Sequence, residues 1–434
     1  MIAGSPLASP RMRAYMLGVL ALIYVFNGVD RSIMWVVLEP IKHDLHLTDT
    51  QLGALSGFAF GVFYAIAGIP IGVLADRIER RRIVALAVGV WSLMTASCGL
   101  TTSFWQLFAA RVAVGAAESG APPASISLIT DLYPRRSRAA AIALYMSGSS
   151  VALVLTYAMG SWVASRWGWR TGFFAAGVPG LLLALLVWTT FREPLRGGTD
   201  GGPAEERPAE FRATLRTLLE KLPIRWMLGA LTATAVAAVG LSTFMLSFLI
   251  RSHHMTLTRA GGLIAIGHVF AAATIAIVGR ITDRMNIRDE RWTVWVPAII
   301  AGVGMPLTLG LTLTGTPMIV YILLPLVSAI PGSQFGPVFA FLQNHVRPSM
   351  RATTLSVAYV IQNLIGIGLG SLLVGIVSDR LHAGYRSESL RYAMACVSIL
   401  YTVAALCYLR AARLLRAEAR VPQTEPKAGG RCGT

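Results

Sequence analysis

Charge is what this chain has least of. Only 14% of its 434 residues are Asp, Glu, Lys or Arg, against about 25% in an ordinary soluble protein. That is too little to coat a soluble particle of this size. Lysine is nearly absent: Lys42, Lys221 and Lys427 are the only three among 38 basic residues. Cysteine is scarce, and Cys98, Cys396, Cys407 and Cys432 show neither metal-site spacing nor a disulfide framework. No His-Glu-x-x-His, Gly-x-Ser-x-Gly or phosphate-loop run occurs. This argues against a zinc hydrolase, a serine hydrolase and an ATP-driven pump. No metal or cofactor is expected, and the chain does not read as an enzyme. Disorder is excluded too, because 55% of the residues are hydrophobic and 9% aromatic.

What the chain does have is long apolar runs, and its mean hydropathy is +0.61. A helix needs about 20 apolar residues to cross a ~30 Å hydrocarbon core. Twelve runs qualify, at 14–38, 51–75, 83–102, 104–127, 139–163, 171–190, 224–250, 257–282, 292–313, 317–343, 352–377 and 391–409. They are continuous, unlike the short alternating strands of a membrane barrel. The fold class expected is therefore an all-α membrane protein with twelve transmembrane helices. The first run is too long for a cleaved signal peptide and contains Asp30 and Arg31.

The net charge of +17 raises nucleic-acid binding, but its distribution answers differently. With the N-terminus inside, most Arg and Lys fall in cytoplasmic loops, the positive-inside pattern. The expectation is a multi-pass protein of a bacterial inner membrane with both termini cytoplasmic and no nucleic-acid partner. The Arg bias and the many Ala residues fit a GC-rich bacterial gene.

Four segments follow: a six-helix bundle at 1–190, a linker at 191–223, a second six-helix bundle at 224–410 and a cytoplasmic tail at 411–434. Within the linker, Phe211, Leu215, Leu218, Leu219 and Leu222 recur at helical spacing opposite Arg212, Arg216 and Lys221. That is an amphipathic helix lying on the membrane surface, either a tether or a regulatory element. The halves also repeat. Gly72, Asp76, Arg77 and Arg80–Arg82 after the second run answer to Gly279, Asp283 and Arg284 after the eighth. The turn Asp131–Ala139 answers to Asn344–Ala352. Two similar six-span halves are the layout of a secondary transporter with its site at midplane between them.

The Gly72–Arg82 segment resembles the loop signature of the major facilitator superfamily, departing from it at Glu79. Within that superfamily the chain resembles the Spinster-type lipid transporters. The residues that carry this are Asn27, Asp30 and Arg31, then Leu38 to Lys42, Asp49 to Gly53, Arg111 to Gly120, Pro122, Pro123 and Ser127 to Pro134. Gly28 stands where an aromatic is usual. The resemblance implies two pseudo-symmetric bundles, alternating access, a lipid-like small-molecule substrate, proton coupling and action as a monomer in the bilayer.

A charge near the bilayer centre costs about 2.5–3.5 kcal/mol or more and marks function by default. In the first half these are Asp30, Arg31, Arg111 and Glu118. At 1.5 Å per residue, Asp30 lies ~12 Å and Arg111 ~10 Å from the outer ends of their helices. Glu118 falls two turns beyond Arg111 on the same helix face. The resemblance places all four near the cavity, either as a proton-coupling network or as pairs that tie spans 1 and 4 together. It also makes Gly72, Asp76, Arg77, Arg80 and Asp283 a cytoplasmic latch that closes when the outer side is open. Candidate cavity residues are Phe58, Tyr64, Tyr145, Ser149, Phe244, Phe248, His268, Gln334, Tyr359 and Asn363. His268 reads either as a satisfied histidine or as a proton or headgroup contact. The neutral walls of the second half favour an amphiphile, lysophospholipid or sphingoid in type. A drug or organic-anion carrier is the alternative, and a non-transporting membrane sensor a more distant one.

Overall fold

The computed structural model describes residues 9–75, 78–194, 211–289 and 291–418. All twelve expected segments fall on helix. Ten continuous helices among the described residues are long and apolar enough to cross a membrane. The count differs from twelve for two local reasons. One of the ten runs unbroken by this criterion from Thr353 to Leu415, through the eleventh and twelfth segments. The fourth segment is split into Phe104–Glu118 and Ala121–Leu132. The split follows from Pro122 and Pro123, which lack an N–H and whose rings clash with the carbonyls four residues back, those of Glu118 and Ser119.

Span 1 is Pro10–Leu45, started by the Ser9 side chain and by Pro10 at the first helical position. Span 2 runs 49–75 and span 3 is Arg80–Cys98. Span 4 is the broken pair, span 5 runs 135–167 and span 6 is Trp169–Thr190. After the short helix Phe211–Glu220 come span 7 (Leu222–His253), span 8 (Leu257–Asn286), span 9 (Trp292–Leu313) and span 10 (Pro317–Asn344). Span 11 runs 351–385 and span 12 runs 389–418, beyond the expected end at 410. The repeat is visible in the turns. His46 and His254 end spans 1 and 7 in the left-handed conformation, at φ 52° and 51°. Thr48 and Thr256 then cap spans 2 and 8 with their side chains.

The apolar cores determine the shape. One core draws on both halves: Val36, Val37 and Ile41 of span 1 pack with Phe244, Phe248 and Leu249 of span 7 and Leu263 of span 8. The other two each belong mainly to one half, the first of them also taking in Ile367 of span 11 at the seam with span 2. Leu20, Val84, Trp91 and Leu128 belong to a first-half core, and Ile224, Leu231, Phe341 and Tyr408 to a second-half core. The shared core lies at the end opposite the arginine-rich turns. The halves therefore meet at one face, called here the closed face, and part toward the basic face, leaving a cleft between them.

Two seams join the halves near the closed face. Span 2 meets span 11 and span 8 meets span 5. At Gly57 an added Cβ would collide with the Ser371 hydroxyl and the Ile367 carbonyl oxygen; at Gly261 it would collide with Ser161 and the Tyr157 carbonyl. Both seams are thus close helix contacts of the kind small residues allow in membranes.

The linker helix differs from its expectation in one respect. Leu218 and Thr214 are buried, while Phe211, Leu215 and Leu219 are exposed. One apolar residue docks onto the second half, and the others face outward.

Candidate functional site

The site begins with two adjacent residues. Successive helix positions point about 100° apart, so Asp30 and Arg31 cannot face the same way. Asp30 is fully buried inside the first bundle. Arg31 turns toward the cleft, its side chain 24% exposed, and donates from Nη2 to Glu118 Oε2 at 3.2 Å. Its guanidinium lies 4.6 Å from the centroid of the Phe60 ring and 5.3 Å from that of Tyr64. Aromatic faces attract a cation at such distances.

Glu118 is fully buried and is the last residue of its helix before the proline break. A helix C-terminus is the negative end of the macrodipole and favours a cation beside it. Arg31 supplies that cation. Arg111, two turns earlier, is buried as well. Its Nη1 donates to the backbone oxygen of Asp30 at 3.4 Å, and its guanidinium lies 5.4 Å from the Phe60 ring. No ion pair within 4.0 Å joins Arg111 to the Asp30 carboxylate among the described residues. The four charges thus form one exposed-to-buried pair and one deeper Asp30–Arg111 contact, rather than two equivalent ion pairs.

The cavity candidates divide in the same way. Tyr64, Phe58, Asn363 and His268 are partly exposed, Ser149 is exposed and Tyr359 is 41% exposed. Asn363 donates to the Tyr359 carbonyl at 2.8 Å, and Tyr359 packs 5.3 Å from Phe339. His268 stacks on Tyr157 across the two halves, centroids 5.3 Å apart. Tyr145 is buried against Tyr24, and Gln334 is buried and accepts from Thr234 at 3.3 Å. Phe244 and Phe248 are sealed in the shared core, away from the cleft in this conformation.

Of the latch residues, Asp76 and Arg77 lie outside the described residues, as does the side-chain environment of Gly72. Asp283 is exposed at the basic end of span 8. Arg80 is 4% exposed and bound within its own half: to Asp131, to Glu193 at 2.8 Å and to the Ser127 hydroxyl at 2.9 Å. The latch was expected with the opposite face open; here that face is shut and Arg80 serves the first bundle. Removing it takes the shared guanidinium from both the Asp131 and the Glu193 carboxylate. Arg80→Ala is therefore expected to destabilise the first bundle by about 3 kcal/mol, the cost of breaking a buried pair. Thermal unfolding in detergent checks this: the midpoint falls by several degrees, whereas an unchanged midpoint removes the structural role.

A second cluster escaped the sequence reading. Glu39, Lys42, Asp49, Arg251, Ser378 and Asp379 meet on the closed face. The available signal was that Glu39, Asp49 and Asp379 are acids just outside the apolar runs that end at 38, begin at 51 and end at 377, on the side otherwise poor in charge.

A cleft between two six-span halves, shut at one face and charged on one wall, defines a carrier that exposes its site to one side at a time. Comparison with known proteins agrees. Residues 20–371 match the family model of the Major Facilitator Superfamily. The chain is 32% identical over 418 residues, 94% of each chain, to an MFS-type efflux pump of Mycolicibacterium smegmatis. It is 24% identical over 402 residues to protein spinster homolog 1 of Xenopus tropicalis, covering 87% of this chain and 76% of the other. Among solved structures it is similar to a bacterial homolog of the human lysosomal transporter Spinster in an inward-facing, unoccupied conformation. The TM-score is 0.87 at 29% identity, covering 95% and 99% of the two chains. The chain belongs to the Major Facilitator Superfamily. It is a multi-pass membrane transporter of small molecules by alternating access, not an enzyme, and the resemblance to Spinster-type transporters holds across the whole fold.

Proposed function

We propose that this protein is a proton-coupled transporter of lipid-like amphiphiles in a bacterial inner membrane, with the basic face and both termini cytoplasmic. It acts as a monomer. The observation that carries the reading is the Arg31–Glu118 pair: of the four intramembrane charges of the first half, Arg31 is the one open to the cleft, and a buried carboxylate holds it. A proton on Glu118 cancels the charge that Arg31 faces and frees the guanidinium for an anionic headgroup. Loss of the proton draws Arg31 back to the carboxylate and releases the ligand. Proton and substrate thus bias one ion pair, which is the physical content of coupling.

The second half supports an apolar tail. No Asp, Glu, Lys or Arg occurs at 226–250, 260–279, 317–346 or 352–378. Phe335 and Phe339 of span 10 stack at 6.0 Å, partly buried, beside the exposed Tyr359. A headgroup on Arg31 with a tail along this wall fits a lysophospholipid or sphingoid phosphate better than a sugar.

The test is a series of lysolipids with one headgroup. Each buried CH₂ contributes about 0.8 kcal/mol, so two added carbons tighten binding roughly tenfold until the wall is covered. Tryptophan quenching reads the affinity. The relative named as an efflux pump motivates the competing reading, a drug or organic-anion exporter. Affinity independent of chain length, with tight binding of a tail-less anion, establishes that reading instead.

A further inference from the structure

Arg251, in the last turn of span 7, reaches into the opposite half. Its Nε donates to both Glu39 oxygens at 2.9 Å, and its Nη1 and Nη2 donate to the two Asp49 oxygens at 2.8 and 2.9 Å. Its side chain is 10% exposed, and those of Glu39 and Asp49 are 7% and 2% exposed. Asp49 also accepts from Lys42 Nζ and from the Ser378 hydroxyl, each at 2.6 Å. Asp379, from span 11, accepts from the backbone N–H groups of Asp49 and Thr50 at 3.0 and 2.8 Å. Those groups are the free donors at the start of span 2, so a carboxylate of one half caps a helix of the other.

Sorted by half, these contacts are of two kinds. Lys42–Asp49 and His43–Glu39, the latter at 3.5 Å, lie within the first half. The bonds of Arg251, Ser378 and Asp379 cross between halves and break whenever this face opens. The partners left behind are partly matched. Asp49 keeps Lys42, and Glu39 keeps the exposed His43 imidazole beside it, which balances its charge only when protonated. On the other side Arg251 and Asp379 carry opposite charges on spans 7 and 11, which pack together, and both have just lost Asp49. Asp49 thus keeps a cation within its own half, and Arg251 has an acid within reach in its own, which limits the cost of separating buried charges.

Among the described residues, the opposite seam shows no such ion pair. Where span 5 meets span 8 at the same face, the crossing bond is Ser165 Oγ to Thr258 Oγ1 at 2.9 Å, between exposed neutral hydroxyls. The closed face is thus ionic on one side and neutral on the other.

We propose that Arg251 is the positioning residue of an ionic clasp that holds this face shut, with Asp379 as its second arm, and that it releases by exchanging Glu39 and Asp49 for Asp379. This rests on alternating access alone and stands whether or not the substrate is a lipid or the cycle is proton-coupled.

The test uses the full-length protein in nanodiscs, with spin labels at the exposed positions Thr102 and Gly315, one in each half on the closed face. Arg251→Ala is expected to raise the ratio of wide to narrow distances at least tenfold, and Asp379→Asn to raise it less. Arg251→Ala takes the guanidinium from two buried carboxylates, of which only Asp49 keeps a lysine, and can fail to fold. The triple variant Glu39→Gln, Asp49→Asn, Arg251→Met removes both carboxylates with the guanidinium, leaves only the part-exposed Lys42 to be solvated, and is expected to shift to the same side. Raising salt is expected to widen the wild-type distribution and to leave the triple variant unmoved. Ser165→Ala is the control on the neutral seam, with the wild-type distribution. A triple variant that keeps the narrow wild-type distribution, or a Ser165→Ala shift equal to that of Arg251→Ala, overturns the clasp.

Discussion

Glu118→Gln is expected to abolish accumulation driven by a pH gradient while keeping substrate binding. Glutamine mimics the protonated carboxyl: it is neutral, of the same shape, and releases Arg31 from its ion pair. With one proton per cycle, each pH unit stores about 1.4 kcal/mol and supports roughly tenfold accumulation. In the variant that ratio falls to about one, because no proton is bound and lost at this step. Binding of an anionic amphiphile stays equal or tightens, since the competitor for Arg31 is gone. Proteoliposome uptake with and without an imposed gradient reads the first quantity, and tryptophan quenching reads the second. Accumulation equal to wild type removes Glu118 from the coupling step. Loss of binding together with accumulation assigns the pair to structure instead.

Gly57→Val is expected to hold the closed face open. A Cβ at this position collides with the Ile367 carbonyl oxygen, which is backbone and cannot rotate away, as well as with the Ser371 hydroxyl. Span 2 must then draw back from span 11, and that seam exists only while this face is shut. Overpacking of this kind costs about 1–3 kcal/mol, enough to move a balanced equilibrium by roughly 5- to 150-fold. Turnover falls accordingly, because one of the two states of the cycle is disfavoured. The same spin-label pair, Thr102 and Gly315, reports the widening. Normal distances with normal transport show that the seam has slack which the geometry denies.

The two experiments separate two properties of one molecule. The charge pair of spans 1 and 4 lies toward the cleft, and the glycine seam lies toward the closed face. A variant of one is not expected to reproduce the other: Glu118→Gln leaves the seam intact, and Gly57→Val leaves the Arg31–Glu118 pair intact.

Several features of the molecule are legible without the fold, for reasons that are local. Asp30, Arg31, Arg111 and Glu118 stand out because each is a charge in an apolar helix, and that cost applies wherever the helix sits. The proline break after Glu118 is also local, since Pro122 and Pro123 disrupt whichever helix carries them. What cannot be read is direction. Asp30 and Arg31 are neighbours in sequence, yet one is sealed in the bundle and the other meets the cleft. Phe244 and Phe248 have the composition of a cavity wall and instead fill the shared core. Helical periodicity fixes the angle between residues but not which neighbour each face meets.

By itself, the sequence determined that this chain is an integral membrane protein of two repeated halves, because hydropathy over about 20 residues and the repetition of turn residues are properties of the chain alone. Only the tertiary structure decided which face is closed and what closes it. Arg251 finds Asp49 across 202 positions, and Asp49 meets Asp379 across 330. No period or motif links such residues. They are partners because two bundles, each specified by its own apolar cores, come together at one end, and charges stranded there must pair or keep the halves apart.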